Sequence, residues 1–146
     1  MKIRNILSNS VYKFYKDYCD NAFIVDVRSP FEHEMIGVPY IFDYSVILLQ
    51  WLYSNDHSEQ NFCNKLCYLI CKKYFYGLNT YTSNAIDKIK TLNLFFICRS
   101  GVRSKTAAML MTDYGFTNCY NVIDGMEGSK YGNGWINNKL PYILLI

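Results

Sequence analysis

The sequence lacks the features that would direct a chain into a membrane or an oxidising compartment. Residues 1–10 contain Lys2 and Arg4 but no apolar core of the kind found in a signal peptide. The longest apolar stretch, Val46–Tyr53, is interrupted by Gln50 and falls far short of the roughly 20 apolar residues of a membrane span. We therefore expect a cytoplasmic protein with no membrane partner.

Histidine is also scarce, which bears on metal binding. The chain has 6 cysteines but only 2 histidines, and it contains no Cys-x-x-Cys pair. This composition disfavours a zinc site, and we expect neither a metal nor another cofactor. Without a secretion signal, the cysteines are expected to be free thiols.

The charge pattern argues against nucleic acid as a partner. The formal net charge is only +3, and the Lys and Arg residues are scattered without forming a basic run or stripe. With 51% hydrophobic residues, the chain is expected to be globular.

Segments typical of strands alternate with segments typical of helices. This alternation over 146 residues predicts one α/β domain with a mainly parallel sheet. Predicted strands are Ala22–Val27, Tyr44–Tyr53, Leu94–Ile97 and Asn118–Ile123, and predicted helices are Ser8–Asp20, Ser58 to about Tyr76, one within Thr80–Leu92, and about Arg103 to Tyr114.

One stretch combines an apolar run, a glycine-containing turn and a good helix former. The turn begins with Cys98, contains Gly101 and carries Arg99 and Arg103. Backbone N–H groups in such a turn converge with a helix N-terminus to form an anion cradle. Cys98 is therefore predicted to be a stabilised thiolate, although a small buried hydrophobe at a strand end is the usual role of cysteine.

A cysteine in an amide-lined loop suits three chemistries: attack on sulfur, attack on phosphorus, and redox sensing. Four residues separate Cys98 from Arg103. Cysteine-type phosphate-ester enzymes place five residues there, and the shorter loop is better sized for one added sulfur atom. Arg99 and Arg103 are expected to attract a small anion, and the loop N–H groups to stabilise a persulfide.

Two other patterns require interpretation. Cys63, Cys67 and Cys71 recur every four residues on a predicted helix, and we interpret them as small buried hydrophobes rather than as a metal or redox stripe. Arg28 and Glu32 are also four residues apart and could form an ion pair that holds a structural turn, and a catalytic role at this strand end is the alternative interpretation.

Together these motifs resemble a rhodanese-homology domain. The first is Phe23-Ile24-Val25-Asp26-Val27-Arg28-Ser29-Pro30-Phe31-Glu32-His33, and the second is Phe96-Ile97-Cys98-Arg99-Ser100-Gly101-Val102-Arg103-Ser104. Gln50-Trp51 and the segment from Tyr120 to Gly128, with Gly134-Trp135 and Leu140-Pro141, also resemble a bacterial single-domain subgroup. The resemblance covers residues 10–141, leaving 1–9 and 142–146 as terminal extensions.

The resemblance implies an open five-stranded, mainly parallel sheet with helices on both faces. It implies sulfurtransferase activity, with Cys98 as the persulfide-carrying nucleophile. The donor would be a small anionic sulfur compound or a protein persulfide, and the acceptor would be thiophilic. The persulfide would be held by Arg99, Ser100, Gly101, Val102, Arg103 and Ser104, above a supporting network of Asp26, Arg28 and Glu32.

Overall fold

The computed structural model describes residues 2–18, 21–41, 45–51, 58–75 and 82–145. Within these ranges the strands are β1 (Arg4–Ile6), β2 (Ala22–Asp26), β3 (Val38–Pro39), β4 (Val46–Leu48), β5 (Asn93–Ile97), β6 (Asn118–Val122) and β7 (Tyr142–Ile143). The helices are α1 (Ser8–Tyr18), α2 (Pro30–Ile36), α3 (Ser58–Tyr74), α4 (Ser83–Ile89) and α5 (Val102–Asp113).

The central sheet has five strands in the order β1-β6-β5-β2-β4, and every pairing is parallel. Strand β5 lies in the middle, so its carboxyl end opens at the centre of one sheet edge. Strands β3 and β7 form a separate antiparallel pair. The expected α/β fold with a five-stranded parallel sheet is confirmed.

Alternate residues of the central strands pack on opposite faces of the sheet, as the strand period of two requires. Leu94 and Phe96 of β5 join the core beneath α3, α4 and α5. Phe95 and Ile97 join the core that contains α1 and Trp135. Because both faces are covered, β2 and β5 are continuously apolar, which is the pattern that made them recognisable in the sequence.

Several element boundaries differ from the expectations. The predicted strand over residues 44–53 is reduced to β4, where Leu48 is exposed because β4 is an edge strand; residues 44, 52 and 53 lie outside the described part. The turn expected at residues 77–79 also lies outside it.

Both predicted terminal extensions contribute to sheets. Strand β1 pairs with β6 along Arg4–Ile6, so residues 4–6 belong to the main sheet. Strand β7 pairs with β3, which places Tyr142 opposite Pro39. Strands this short are formed through distant partners rather than through local sequence preference, and no local pattern marked them.

None of the helices in the described ranges is long and apolar enough to cross a bilayer.

Candidate active site

The loop from Cys98 to Ser104, here called the Cys98 loop, connects central strand β5 to helix α5. Open parallel sheets commonly place their sites at such a carboxyl edge. The loop is held from below by backbone bonds: the Met126 N–H donates to the Cys98 carbonyl at 2.8 Å, and the Glu127 N–H donates to the Arg99 carbonyl at 3.0 Å. The start of the loop is therefore fixed by the segment that follows β6.

The Cys98 sulfur accepts hydrogen bonds from the backbone of its own loop. The Gly101 N–H lies 3.2 Å from Sγ, and the Ser104 N–H lies 3.4 Å from it. Helix α5 has no side-chain cap at its N-terminus, so the sulfur occupies the place that a capping oxygen normally takes. A negative charge on this sulfur is favoured by both N–H groups and by the dipole of a 12-residue helix.

Gly101 makes the tight turn of the loop possible. Its φ of 97° lies in the left-handed region, which a side chain strongly disfavours. A Cβ atom at this position would also lie 2.8 Å from the Ile123 carbonyl oxygen. Any substitution here would therefore move the N–H group that faces Cys98.

Asn121 on β6 connects the two residues that donate to Cys98. The Ser104 hydroxyl donates to Asn121 Oδ1 at 2.6 Å, and Asn121 Nδ2 donates to the Gly101 carbonyl at 3.0 Å. Ser104 Oγ is also 3.2 Å from Cys98 Sγ. Because the hydroxyl proton is directed to Asn121, the thiol form of Cys98 can donate its own proton to Ser104 Oγ.

Arg103 pairs with Glu32 of α2. Its two terminal nitrogens lie 2.6 and 2.8 Å from the two Glu32 oxygens, which is a bidentate geometry. The hydrogen bond from Arg103 lowers the pKa of Glu32 to about 2, against partial burial and with help from Ser29. Ser29 and Glu32 also form a capping box at the start of α2. This pair ties α2 to the end of the Cys98 loop.

The prediction that Arg28 and Glu32 form an ion pair is wrong. Arg28 is fully buried and instead contacts Asp26, with Nη2 2.7 Å from Oδ2, and it donates to the Gly37 carbonyl at 2.6 Å. Arg28 precedes Ser29, the N-cap of α2, so it lies outside the helix and the helical spacing of four does not apply between it and Glu32.

Asp26 is the buried acceptor of this second pair. His33 Nε2 lies 3.2 Å from its Oδ1. Burial raises the pKa of Asp26, but the contacts with His33 and Arg28 outweigh burial and hold the pKa below its ordinary value. Asp26 and Arg28 thus stabilise the turn into α2. Of the predicted supporting network, Glu32 is the residue that forms an ion pair with the Cys98 loop.

Arg99, the second residue of the Cys98 loop, has an exposed side chain. Its Nε is 3.4 Å from Glu127 Oε2. Val102 is strongly exposed at the first position of α5, and Ser100 is half-buried. The structure therefore brings all seven residues of the Cys98 loop to one place, while their roles in binding a persulfide stay predictions.

Two residues that contact the loop were missed as site residues. Asn121 is a buried polar residue within β6, and a polar side chain at a buried strand position was the available signal. Glu127 had no comparable signal, since its contact with Arg99 depends on how the segment after β6 turns back.

The cysteines of α3 have a different environment. Cys63, Cys67 and Cys71 are buried in the core, as expected. Burial raises the pKa of Cys63 to about 11 and that of Cys67 to about 12. Within the described residues, no cluster of three or more His, Cys, Asp or Glu side chains could hold a metal ion.

Solved structures with the same fold define the class of protein. A rhodanese-like domain protein from Staphylococcus aureus aligns over 99% of this chain and 100% of its own, with a TM-score of 0.54 and 19% identity. The polysulfide-sulfur transferase homodimer from Wolinella succinogenes aligns over 98% of this chain and 80% of its own, with a TM-score of 0.62 and 20% identity. These neighbours show that the chain has the rhodanese-like fold.

Sequence relatives place it more narrowly. No family model matches the chain. The uncharacterized protein RC0915 from Rickettsia conorii is 37% identical over 143 residues, which span 97% of this chain and 98% of that protein. The chain belongs to the same family as this rickettsial protein. Rv0390 from M. tuberculosis, whose structure is known, is 27% identical with a TM-score of 0.62, over 98% of both chains.

Proposed function

We propose that this protein is a sulfurtransferase that carries sulfane sulfur as a persulfide on Cys98. The observation that carries the proposal is the pair of N–H donors, from Gly101 and Ser104, directed at the Cys98 sulfur at the start of α5. Donors of this kind stabilise a thiolate before the reaction and a persulfide anion after it.

In the first step the Cys98 thiolate attacks the outer sulfur of the donor. A bond forms between Sγ and that sulfur, and the S–S bond of the donor breaks. The electron pair leaves with sulfite when thiosulfate is the donor, or with a thiolate when the donor is an organic persulfide. In the second step a thiophilic acceptor such as cyanide attacks the outer sulfur, and the electron pair returns to Sγ. The cycle needs no external oxidant or reductant.

Mass spectrometry of the intact protein tests this proposal. After exposure to thiosulfate or to an organic persulfide, the protein should gain one sulfur atom on Cys98, and cyanide should remove it. The Cys98→Ala variant should gain none, while Cys63→Ala, the same change in α3, should load normally. Loading that survives in Cys98→Ala, or no loading from either donor, would contradict the proposal.

A sulfur relay between protein partners is the second candidate. It is favoured by two exposed apolar side chains, Phe31 and Val102, which are the chain neighbours of the paired residues Glu32 and Arg103. In this case Cys98 would load sulfur but would show negligible turnover with cyanide.

A cysteine-dependent phosphatase is less well supported. A structure of this fold from Rhodopseudomonas palustris is described as a possible tyrosine phosphatase, and its 18% identity shows the fold alone. Here the loop is one residue shorter than in cysteine-type phosphate-ester enzymes, and both terminal nitrogens of Arg103 bind Glu32 rather than the space above Cys98. Hydrolysis of an aryl phosphate that requires Cys98 would revive this candidate.

A further inference from the structure

Both arginines of the Cys98 loop have a carboxylate partner. Arg103 forms the bidentate pair with Glu32 described above. Arg99, whose side chain is 67% exposed, has its Nε 3.4 Å from Glu127 Oε2. Each carboxylate offsets much of the positive potential that its arginine would present to a ligand.

Glu127 is held beside Arg99 by the backbone. The Glu127 N–H donates to the Arg99 carbonyl, and Asn137 Nδ2 donates to the Glu127 carbonyl oxygen at 3.4 Å. Its side chain is 33% exposed, which is half the exposure of Arg99. The backbone of Glu127 is therefore fixed next to the loop, within reach of Arg99.

The Gly101 and Ser104 N–H groups are suited to a single negative charge on the Cys98 sulfur. Thiosulfate would add two negative charges to that thiolate, beside arginines that are already paired. An organic persulfide adds one negative charge or none at its reacting sulfurs. The exposed side chains of Phe31 and Val102 also offer apolar surface to an organic group, which thiosulfate lacks.

From this arrangement, and building on the proposed function, we infer that Glu127 is a specificity-determining residue that makes the site favour an organic persulfide, such as a cysteine persulfide of a protein, over dianionic thiosulfate as the sulfur donor.

The test compares how Glu127→Gln changes the loading of Cys98 by two donors. The probes are thiosulfate and the persulfide of N-acetylcysteine amide, a neutral mimic of a cysteine within a protein. The variant should load from thiosulfate about twofold to fivefold faster at low ionic strength, as expected for removing one charge from an exposed pair. The gain should shrink as salt is added, and the rate with the organic persulfide should change by less than about 1.5-fold.

Asp113→Asn is the matched control. It removes the same charge from an exposed residue at the far end of α5, about 15 Å from the loop by helix rise. At 0.15 M salt, where the Debye length is about 8 Å, it should leave both rates unchanged, and at low ionic strength it should change thiosulfate loading less than Glu127→Gln does. Equal changes for both donors in Glu127→Gln, or no change with thiosulfate, would overturn this inference while Cys98 still loads. No loading at all would instead overturn the proposed function.

Discussion

Cys98 and the cysteines of α3 are similarly buried but differ in what surrounds the sulfur atom. Cys98 is 1% exposed, and Cys63 and Cys71 are each 2% exposed. The Cys98 sulfur accepts two backbone N–H bonds. Cys63 lines a cavity of about 380 Å³ between α3 and α5, where burial and the nearby charge of Glu59 raise its pKa to about 11.

From this difference we expect hydrogen-bond donors, rather than exposure, to decide which cysteine of this protein reacts. A helix interior commits most of its N–H groups to carbonyl oxygens. The backbone hydrogen bond that lowers the pKa of Cys63 is outweighed by burial. The start of α5 has unpaired N–H groups, and the loop turns one more toward the same sulfur. The cysteines of α3 thus serve as an internal control for Cys98, the proposed nucleophile.

The strongest test of this comparison is alkylation of the folded protein by iodoacetamide at pH 8. Cys98 should react at least about a hundredfold faster than Cys63, because a thiol with a pKa of about 11 is only about one part in a thousand thiolate at that pH. Peptide mass spectrometry over a time course measures both rates. The urea-unfolded protein is the control, and there the two cysteines should react at similar rates. If Cys98 and Cys63 are alkylated at comparable rates in the folded protein, the proposed difference in their reactivity is contradicted.

Asn121→Ala should lower the alkylation rate of Cys98 toward that of the α3 cysteines. The variant frees both the Gly101 carbonyl and the Ser104 hydroxyl, so the two N–H donors lose their anchor. We expect Cys98 alkylation to slow about tenfold, and the free energy of unfolding to fall by about 1–3 kcal/mol because buried polar groups lose partners.

The matched control is Cys119→Ala, a truncation of another buried residue on β6. It should reduce stability without slowing Cys98. An equal slowing in both variants would indicate that Asn121 acts only through general stability.

A smaller effect is expected on the pH dependence of stability, through the ion pair between Glu32 and Arg103. The pKa of Glu32 is lowered from 4.5 to about 2, so its pair with Arg103 stabilises the fold fully above pH 4.5 and is lost as the pH falls toward 2. Glu32→Gln should therefore be less stable than the unchanged protein by about 1–3 kcal/mol at pH 7, after allowance for partial exposure of the pair.

The difference between Glu32→Gln and the unchanged protein should vanish near pH 2, as measured by urea unfolding across the pH range. Glu34→Gln, on an exposed position of the same helix, should change stability by less than about 0.5 kcal/mol at any pH. If the stability difference between Glu32→Gln and the unchanged protein persists or grows in acid, the ion pair with Arg103 does not cause it.

Much of this fold could be predicted from local patterns. The apolar runs of β2 and β5 indicated strands covered on both faces. The short strands β1 and β7 were missed, since each exists only through a partner distant in sequence. Both ion pairs were also missed: Arg28 pairs with Asp26, two residues before it, and Glu32 pairs with Arg103, which is distant in the sequence.

The sequence by itself determined the position of Cys98 after a buried strand, the glycine that permits the turn, and the helix that follows. These features depend on residues next to one another in the chain, where backbone preference acts directly. Only the tertiary structure decided which charges meet, because ion pairing depends on distances between segments. It placed Asn121 under the loop, Glu32 on Arg103 and Glu127 beside Arg99, and so determined how much positive charge surrounds the Cys98 sulfur.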